Sequence, residues 1–179
     1  MSKTKHPIGL RTLFFTEMWE RMSYYGMRGI LVLFMTASIS NGGLDFSNAS
    51  ASAIYGIYAA AVYLMALPGG WLADNIFGQQ KTILFGGIVI MFGHLSLAIP
   101  NMTFFYLGLI LVVMGTGLLK PNISAIVGGL YEKNPSMKES GFTIFYMSIN
   151  IGSILGFFIC GYLGENIGWH YGFGAAGIG

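Results

Sequence analysis

Long stretches without charged residues constrain the fold of this 179-residue sequence more than any other feature. Residues 28 and 74 enclose one charge, Asp45, and residues 81 and 132 also enclose one, Lys120. Residues 141–164 contain none. A membrane-spanning helix needs about 20 predominantly apolar residues, and these stretches are long enough to supply several. The sequence therefore predicts a chain that crosses a membrane more than once.

The composition supports a membrane protein and argues against other classes. Charged residues make up 9% of the chain, against about 25% in an ordinary globular protein, so a soluble surface would lack ions. The same deficit disfavours nucleic-acid binding. The single cysteine, Cys160, excludes an internal disulfide and a metal site built from clustered cysteines.

The charge-free stretches predict an all-α integral membrane protein with five spans and the start of a sixth. The sixth begins near Trp169 and is cut off by the end of the sequence. The first is too long and too polar at its start to be a cleaved signal peptide. The five spans cover roughly 12–38, 50–73, 82–99, 103–130 and 141–163, from the rule that a span needs about 20 apolar residues.

The basic residues outside the spans predict the orientation. All of them fall in the N-terminal arm or in the loops after the second and fourth spans, and the intervening loops contain none. Cytoplasmic loops carry an excess of Lys and Arg, so the N-terminus is predicted to be cytoplasmic, in a plasma membrane or bacterial inner membrane. These residues are Lys3, Lys5, Arg11, Lys81, Lys133 and Lys138.

Five ionisable residues lie at predicted membrane depth, where each costs about 2.5–3.5 kcal/mol and marks a functional site by default. Four of them share one face of the first span with Tyr24, and Tyr25 lies just outside it, at about 100° per residue. This stripe is about 16 Å long, which suits a water-filled cleft. The five residues are Glu17, Glu20, Arg21, Arg28 and Lys120.

Two interpretations of these charges stay open. They can be structural ion pairs, with Glu17 and Arg21 pairing within the helix at i,i+4. However, two carboxylates face three cations, and an unmatched cation favours a site for an anionic ligand whose arrival moves a proton. Pro121 follows Lys120 and lacks a backbone N–H, so it tends to kink the helix beside the lysine. That kink could belong to a moving part or could be a static packing feature.

Several motifs resemble those of one transporter family. The segment Glu17 to Gly26, EMWERMSYYG, resembles the ExxERFxYYG signature of the proton-dependent oligopeptide transporters of the major facilitator superfamily, with Met22 in place of phenylalanine. Residues 115–122, GTGLLKPN, and residues 145–153, FYMSINIGS, resemble the signatures of that family's fourth and fifth helices.

A loop motif extends the resemblance to the superfamily. Residues 70–81, GWLADNIFGQQK, resemble the superfamily's loop between helices two and three, although Gln79 and Gln80 replace the usual basic pair. The resemblance implies an N-terminal bundle in which the first and fourth helices hold equivalent positions along the cavity. It also implies that the chain is a fragment that lacks the C-terminal bundle.

The resemblance further implies a proton-coupled symporter of di- and tripeptides that works by alternating access, with the proton as coupling ion and no other cofactor. Its implied partners are peptides, protons, the lipid bilayer and the C-terminal bundle of its own chain. The implied proton-coupling residues are Glu17, Glu20, Arg21 and Lys120. The implied peptide-binding residues are Arg28, Lys120, Tyr24, Tyr25, Tyr63 and Asn150, and the gating or structural residues are Gly70, Asp74, Gly78 and Pro121.

A histidine is not the expected proton carrier. His94, on the third span, is expected to be a hydrogen-bonded packing residue. In animal members a histidine follows an Ile-Tyr pair of the second helix, whereas here Gly56 follows Ile54 and Tyr55. These observations point back to Glu17 and Glu20.

Other functions remain as alternatives. A carrier of another small anion such as nitrate would have the same fold, and a non-transporting membrane subunit could keep it. An intramembrane enzyme is the weakest alternative, because the sequence has no Ser/His/Asp or metal-ligand cluster.

Overall fold

The computed structural model describes residues 5–179, so the basic residue Lys3 lies outside the described part. Residues 5–179 form six α-helices and no β-strand, which confirms the predicted fold of five long helices and the start of a sixth. The helices are α1 Ile8–Thr36, α2 Asn48–Leu72, α3 Gln79–Leu97, α4 Met102–Gly129, α5 Lys138–Asn166 and α6 Trp169–Ile178.

Four of these helices, α2 to α5, are long and apolar enough to cross a membrane. Helix α1 has 29 residues, which is also sufficient length, but its sequence includes five charged side chains. Because such side chains are costly at membrane depth, they must be shielded by neighbouring helices or by water. The fold therefore has to bury part of α1.

Local sequence signals explain where the helices begin. Ser47 caps α2 by accepting a hydrogen bond from the backbone N–H of Ser50 at 3.1 Å, and Asn101 caps α4 in the same way. After α2 the chain continues in one π-helical segment, Ala73–Phe77. Gly78 then starts α3 with φ +78°, a conformation that a side chain would strain.

Glycines on α5 bring it into close contact with α1. Gly152 and Gly156 face the backbone carbonyls of Met18 and Met22, and a Cβ atom at either glycine would overlap those oxygens. Small residues four apart allow this approach between membrane helices. Helix α5 therefore supports the half of α1 that carries the ionisable stripe.

Helices α2 and α4 also cross closely, at Gly69 and Gly117. A Cβ atom at Gly69 would overlap the carbonyl of Gly117. Pro121 has no N–H to donate to that carbonyl, yet α4 stays continuous through the proline. The amide of Asn122 donates to the carbonyls of Gly69, at 3.3 Å, and Leu118, at 2.6 Å. This crossing positions Lys120 beside α2.

The apolar core has two parts. The larger joins all six helices, with Leu97 from α3 and Phe173 from α6. The smaller lies at the end where α1 begins and includes Tyr131. At that end His6 Nδ1 lies 2.8 Å from the hydroxyl of Tyr131, which links the N-terminal arm to the turn after α4. Helix α1 packs along α5 and α6 but touches α2 and α4 only locally.

Candidate functional site

The first part of the site is an ion-pair group near the middle of α1. Arg21 Nε lies 3.0 Å from Glu17 Oε1 and also pairs with Glu20. All three side chains are buried, with 3%, 7% and 2% of Glu17, Glu20 and Arg21 exposed. One guanidinium therefore faces two carboxylates, and this group carries a net charge of −1 when both are ionised. We call Glu17, Glu20 and Arg21 the paired group.

The carboxylates of the paired group are close to Arg21 but incompletely hydrogen-bonded. Glu17 Oε2 and Glu20 Oε1 accept no hydrogen bond from any residue of the described chain. The ion pairs thus rest on proximity and charge. Two carboxylates that share one cation repel each other, and a proton on either would relieve that repulsion. The group is chemically suited to take up and release a proton.

The second part of the site is Arg28, about two turns further along α1. Its side chain is half-buried, and its Nε donates a hydrogen bond to the hydroxyl of Tyr55 on α2. Its guanidinium carbon lies 5.0 Å from the centroid of the Tyr55 ring and 6.0 Å from that of Tyr24. Within residues 5–179 it pairs with no carboxylate. Arg28 therefore keeps donors free for a ligand.

The third part is Lys120 on α4. Its Nζ lies 5.0 Å from the centroid of the Tyr63 ring on α2, and Tyr63 is 65% exposed. Lys120 forms no ion pair with any described residue. We call Arg28 and Lys120, with Tyr55 and Tyr63, the unpaired group.

The predicted peptide-binding residues are distributed unevenly around these groups. Tyr24 and Tyr25 lie beside Arg21, whose guanidinium carbon is 5.2 Å and 6.0 Å from the two ring centroids. Only 4% of Tyr24 is exposed. Asn150 on α5 is exposed, and its amide donates to the carbonyl of Tyr146 at 3.3 Å. Tyr24 and Tyr25 thus lie against a charged residue of the stripe, whereas the amide of Asn150 bonds only within its own helix in the described chain.

The predicted gating residues lie away from the charges, except Pro121. Gly70 stands near the end of α2 with open space beside it, and Asp74 is exposed in the π-helical segment. Asp74 forms neither an ion pair nor a helix cap with any residue that the structure describes. The positive φ of Gly78 explains on structural grounds why a glycine stands there.

His94 differs from its expected environment. It is completely buried on α3, as a packing residue should be, but neither ring nitrogen has a hydrogen-bond partner within residues 5–179. The prediction of a hydrogen-bonded histidine was therefore wrong in that respect. Its neighbour on α6 is Gly177, whose missing side chain provides no polar group.

Sequence reasoning missed two tyrosines of α2 that lie beside the stripe. Tyr55 accepts the hydrogen bond of Arg28, and Tyr58 is 3% exposed within the same core. The two are three residues apart, so they share a helix face, which was the signal available in the sequence. Tyr55 entered the sequence argument only as the residue before Gly56.

Comparisons with known proteins give one family. A family model described as the POT family matches residues 80–179. The uncharacterized transporter YclF of Bacillus subtilis (strain 168) is 53% identical over 175 residues, which cover 97% of this chain and 36% of that protein. A di-/tripeptide transporter of Lactococcus lactis subsp. lactis (strain IL1403) is 48% identical over 176 residues, covering 97% and 35%. The chain thus spans about a third of the length of these curated relatives.

A solved structure agrees with these relatives. The crystal structure of a peptide transporter POT in complex with sulfate superposes with a TM-score of 0.94 at 47% sequence identity, covering 99% of this chain and 36% of that one. The long apolar helices and the transporter relatives together identify a multi-pass membrane protein.

Proposed function

Since the chain belongs to the POT family, whose relatives above are transporters, we propose that it is the N-terminal part of a proton-coupled symporter of di- and tripeptides. The transporter works by alternating access, and the rest of its chain supplies the other wall of the cleft. The proton is its coupling ion, and no further cofactor is proposed. The N-terminus is cytoplasmic, because the basic residues outside the spans lie at that end of the helices.

One observation carries this proposal: the unpaired group holds two cations without a carboxylate. Arg28 and Lys120 have only tyrosines as close polar or aromatic partners among the described residues. A peptide's terminal carboxylate supplies the missing negative charge. Arginine can hold such a group through two parallel hydrogen bonds, whereas lysine acts as a point charge.

The paired group supplies the coupling. Arg21 holds both glutamates, and Lys120 on the neighbouring α4 forms no ion pair with any described residue. When a proton neutralises a glutamate, that residue no longer attracts the cations, which are then available to the substrate. Proton binding and carboxylate binding therefore favour each other, and the coupling must be reciprocal. In this scheme Glu17 and Glu20 carry the proton and Arg21 holds them in position.

The remaining predicted residues complete the proposal. Tyr24, Tyr25 and Tyr63 contact the peptide through hydroxyl groups and ring faces, and Asn150 hydrogen-bonds its backbone or amino end. Gly70, Asp74, Gly78 and Pro121 belong to the moving or gating parts. The exposure of Tyr63 and Asn150 supports these roles, because an exposed polar group on a bundle face is available to a ligand.

The test is uptake of a labelled dipeptide into liposomes that contain the full-length protein, with and without an inward proton gradient. Glu20→Gln and Lys120→Ala are the informative variants. Glu165→Gln and Lys133→Ala are matched controls, because both residues are exposed, Glu165 near the end of α5 and Lys133 in the turn after α4. We expect gradient-driven uptake that Glu20→Gln and Lys120→Ala abolish and that the controls retain.

Two results would contradict the proposal. Uptake that is equally fast without the gradient would show that transport is not proton-coupled, so the glutamates would have no coupling role. A protein that moves no dipeptide but moves nitrate with protons would be the anion carrier of the same fold.

A further inference from the structure

Lys120 lies in a turn of α4 that lacks one of its own backbone hydrogen bonds. Pro121 has no N–H, so the carbonyl of Gly117 loses its usual helical donor. A helix bends most readily at such a point. Because the proposed ligand of Lys120 is a carboxylate, the direction of the ammonium group matters, and that direction depends on what holds this turn in place.

Helix α2 has the same weakness where it meets this turn. Pro68 lies inside α2 and leaves the carbonyl of Leu64 without its usual helical donor. The two interrupted turns touch, since a Cβ atom at Gly117 would overlap Met65, and one at Gly69 would overlap the carbonyl of Gly117. The backbone hydrogen bonds of both helices are thus incomplete at the same contact.

One side chain joins the two interrupted turns. Asn122 is 3% exposed, and its amide nitrogen donates to the carbonyl of Leu118 in α4, at 2.6 Å, and to that of Gly69 in α2, at 3.3 Å. The bond to Gly69 is the one side-chain hydrogen bond between α2 and α4 within residues 5–179. An amide nitrogen has two donors, and both are used here. Breaking either bond at this depth would leave a buried polar group unpaired, which is costly.

We propose that Asn122 is a positioning residue that sets where Lys120 presents its ammonium group to the substrate carboxylate. Asn122 stands two residues beyond Lys120 and fastens that turn to Gly69. Tyr63, whose ring centroid lies 5.0 Å from Lys120 Nζ, stands about 9 Å before Gly69 along α2. Loss of the bond to Gly69 would therefore move Lys120 relative to the ring of Tyr63. The inference rests on the proposed function, in which Lys120 binds that carboxylate.

The first test observes Lys120 directly in the full-length protein. Lysine that is isotope-labelled at the ε carbon gives NMR signals in detergent, and Lys120→Ala identifies the signal of Lys120. The ring current of Tyr63 shifts this signal, and Tyr63→Leu gives its position without the ring. Asn122→Leu removes the amide at similar volume. Asn166→Leu is the matched control, because the amide of Asn166 donates to the carbonyl of Tyr162 within its own helix and joins no second helix in the described chain.

We expect Asn122→Leu to move the Lys120 signal toward its position in Tyr63→Leu, and Asn166→Leu to leave it unchanged. Asn122→Ser is the second variant, in case leucine disturbs folding, which circular dichroism reports. A serine hydroxyl can still bond to the carbonyl four residues back in α4, but it is too short to reach α2. It should therefore move the signal in the same direction.

The second test is calorimetric titration of a dipeptide with and without Lys120. Asn122→Leu should weaken binding about fivefold, the equivalent of one neutral hydrogen bond. It should cause no further loss in Lys120→Ala, because the amide acts through the lysine. An unchanged Lys120 signal, or an affinity loss as large without Lys120 as with it, would overturn the role of Asn122. A displaced Lys120 signal in a protein that binds no dipeptide would keep Asn122 as the residue that positions Lys120 and refute the peptide site instead.

Discussion

The paired and unpaired groups differ in the partners of their charged side chains. In the paired group one guanidinium faces two carboxylates, and all three side chains are almost completely buried. In the unpaired group Arg28 and Lys120 face tyrosine hydroxyls and ring faces and are only half-buried. Buried charges need partners of opposite sign, whereas partly exposed cations can stay without such a partner. This difference agrees with the proposal that the paired group carries the proton and the unpaired group binds the ligand.

This difference predicts that stability depends on the paired group and affinity on the unpaired group. Removing one member of a buried ion pair leaves an uncompensated charge in the apolar interior. Removing a cation that has no partner leaves no such charge. The following variants test this separation, from the largest expected effect to the smallest.

Arg21→Ala should be the most destabilising change. It leaves Glu17 and Glu20 buried together without their cation, which should lower the free energy of unfolding by about 3–5 kcal/mol. Denaturant unfolding of the purified full-length protein in detergent, followed by circular dichroism, measures this loss. Adding Glu20→Gln to Arg21→Ala should recover part of it, because one of the two unmatched charges disappears.

Lys120→Ala provides the stability comparison for that experiment. Because Lys120 has no ion-pair partner in the described chain, its removal should change the free energy of unfolding by less than about 1 kcal/mol, the range of partly exposed charges. Equal destabilisation by Arg21→Ala and Lys120→Ala would show that the two groups do not differ.

The affinity for peptides should show the opposite pattern. Lys120→Ala should weaken dipeptide binding by about 2–3 kcal/mol, or about 30- to 150-fold, because it removes a charge that the substrate carboxylate would face. Calorimetric titration measures the dissociation constant. A dipeptide with an amidated C-terminus should bind the parent weakly and lose little more in the variant. If the amidated peptide loses as much affinity as the free acid, Lys120 does not bind the carboxylate.

Tyr55→Phe should have a smaller effect on binding. The variant keeps the ring beside Arg28 and removes the hydroxyl that accepts its hydrogen bond. Loss of that orientation should weaken dipeptide binding by about 1 kcal/mol, or about fivefold. The same titration serves as the measurement, and Tyr106→Phe, at a residue 43% exposed on α4, is the control. An affinity equal to that of the control would mean that Arg28 needs no help from Tyr55.

Substitution of Tyr63 should have the smallest effect. Its ring face lies under the Lys120 ammonium group, a contact that contributes about 0.5–1 kcal/mol at exposed sites. Tyr63→Leu should therefore weaken dipeptide binding about two- to fivefold, by conversion of that energy, whereas Tyr63→Phe keeps the ring under Lys120, loses only the hydroxyl and should bind more tightly than Tyr63→Leu. A loss in Tyr63→Phe as large as in Tyr63→Leu would assign the contribution to the hydroxyl.

The helices and the paired group could largely be predicted from the sequence. The start of α6 at Trp169 and the five long helices follow from where charge is absent, because hydrophobic length decides which segments can cross a membrane. The ion pair between Glu17 and Arg21 follows from their spacing, since residues four apart are neighbours on any α-helix. The roles of these residues in transport stay predictions.

The contacts between helices were decided by the tertiary structure alone. Sequence spacing places residues on a helix face but not the rotation and depth of the helix that meets it. Those depend on backbone contacts such as the one between Gly69 and Gly117. Only the packed bundle therefore shows that Arg28 of α1 bonds to Tyr55 of α2 and that Lys120 of α4 lies over the ring of Tyr63. It also shows that Tyr58 and His94 are buried without partners in the described chain. The sequence by itself determined the helices, the set of charges and the neighbours within α1, and the tertiary structure decided which tyrosines of α2 meet Arg28 and Lys120, because those contacts require atoms from separate helices to meet within a few ångströms.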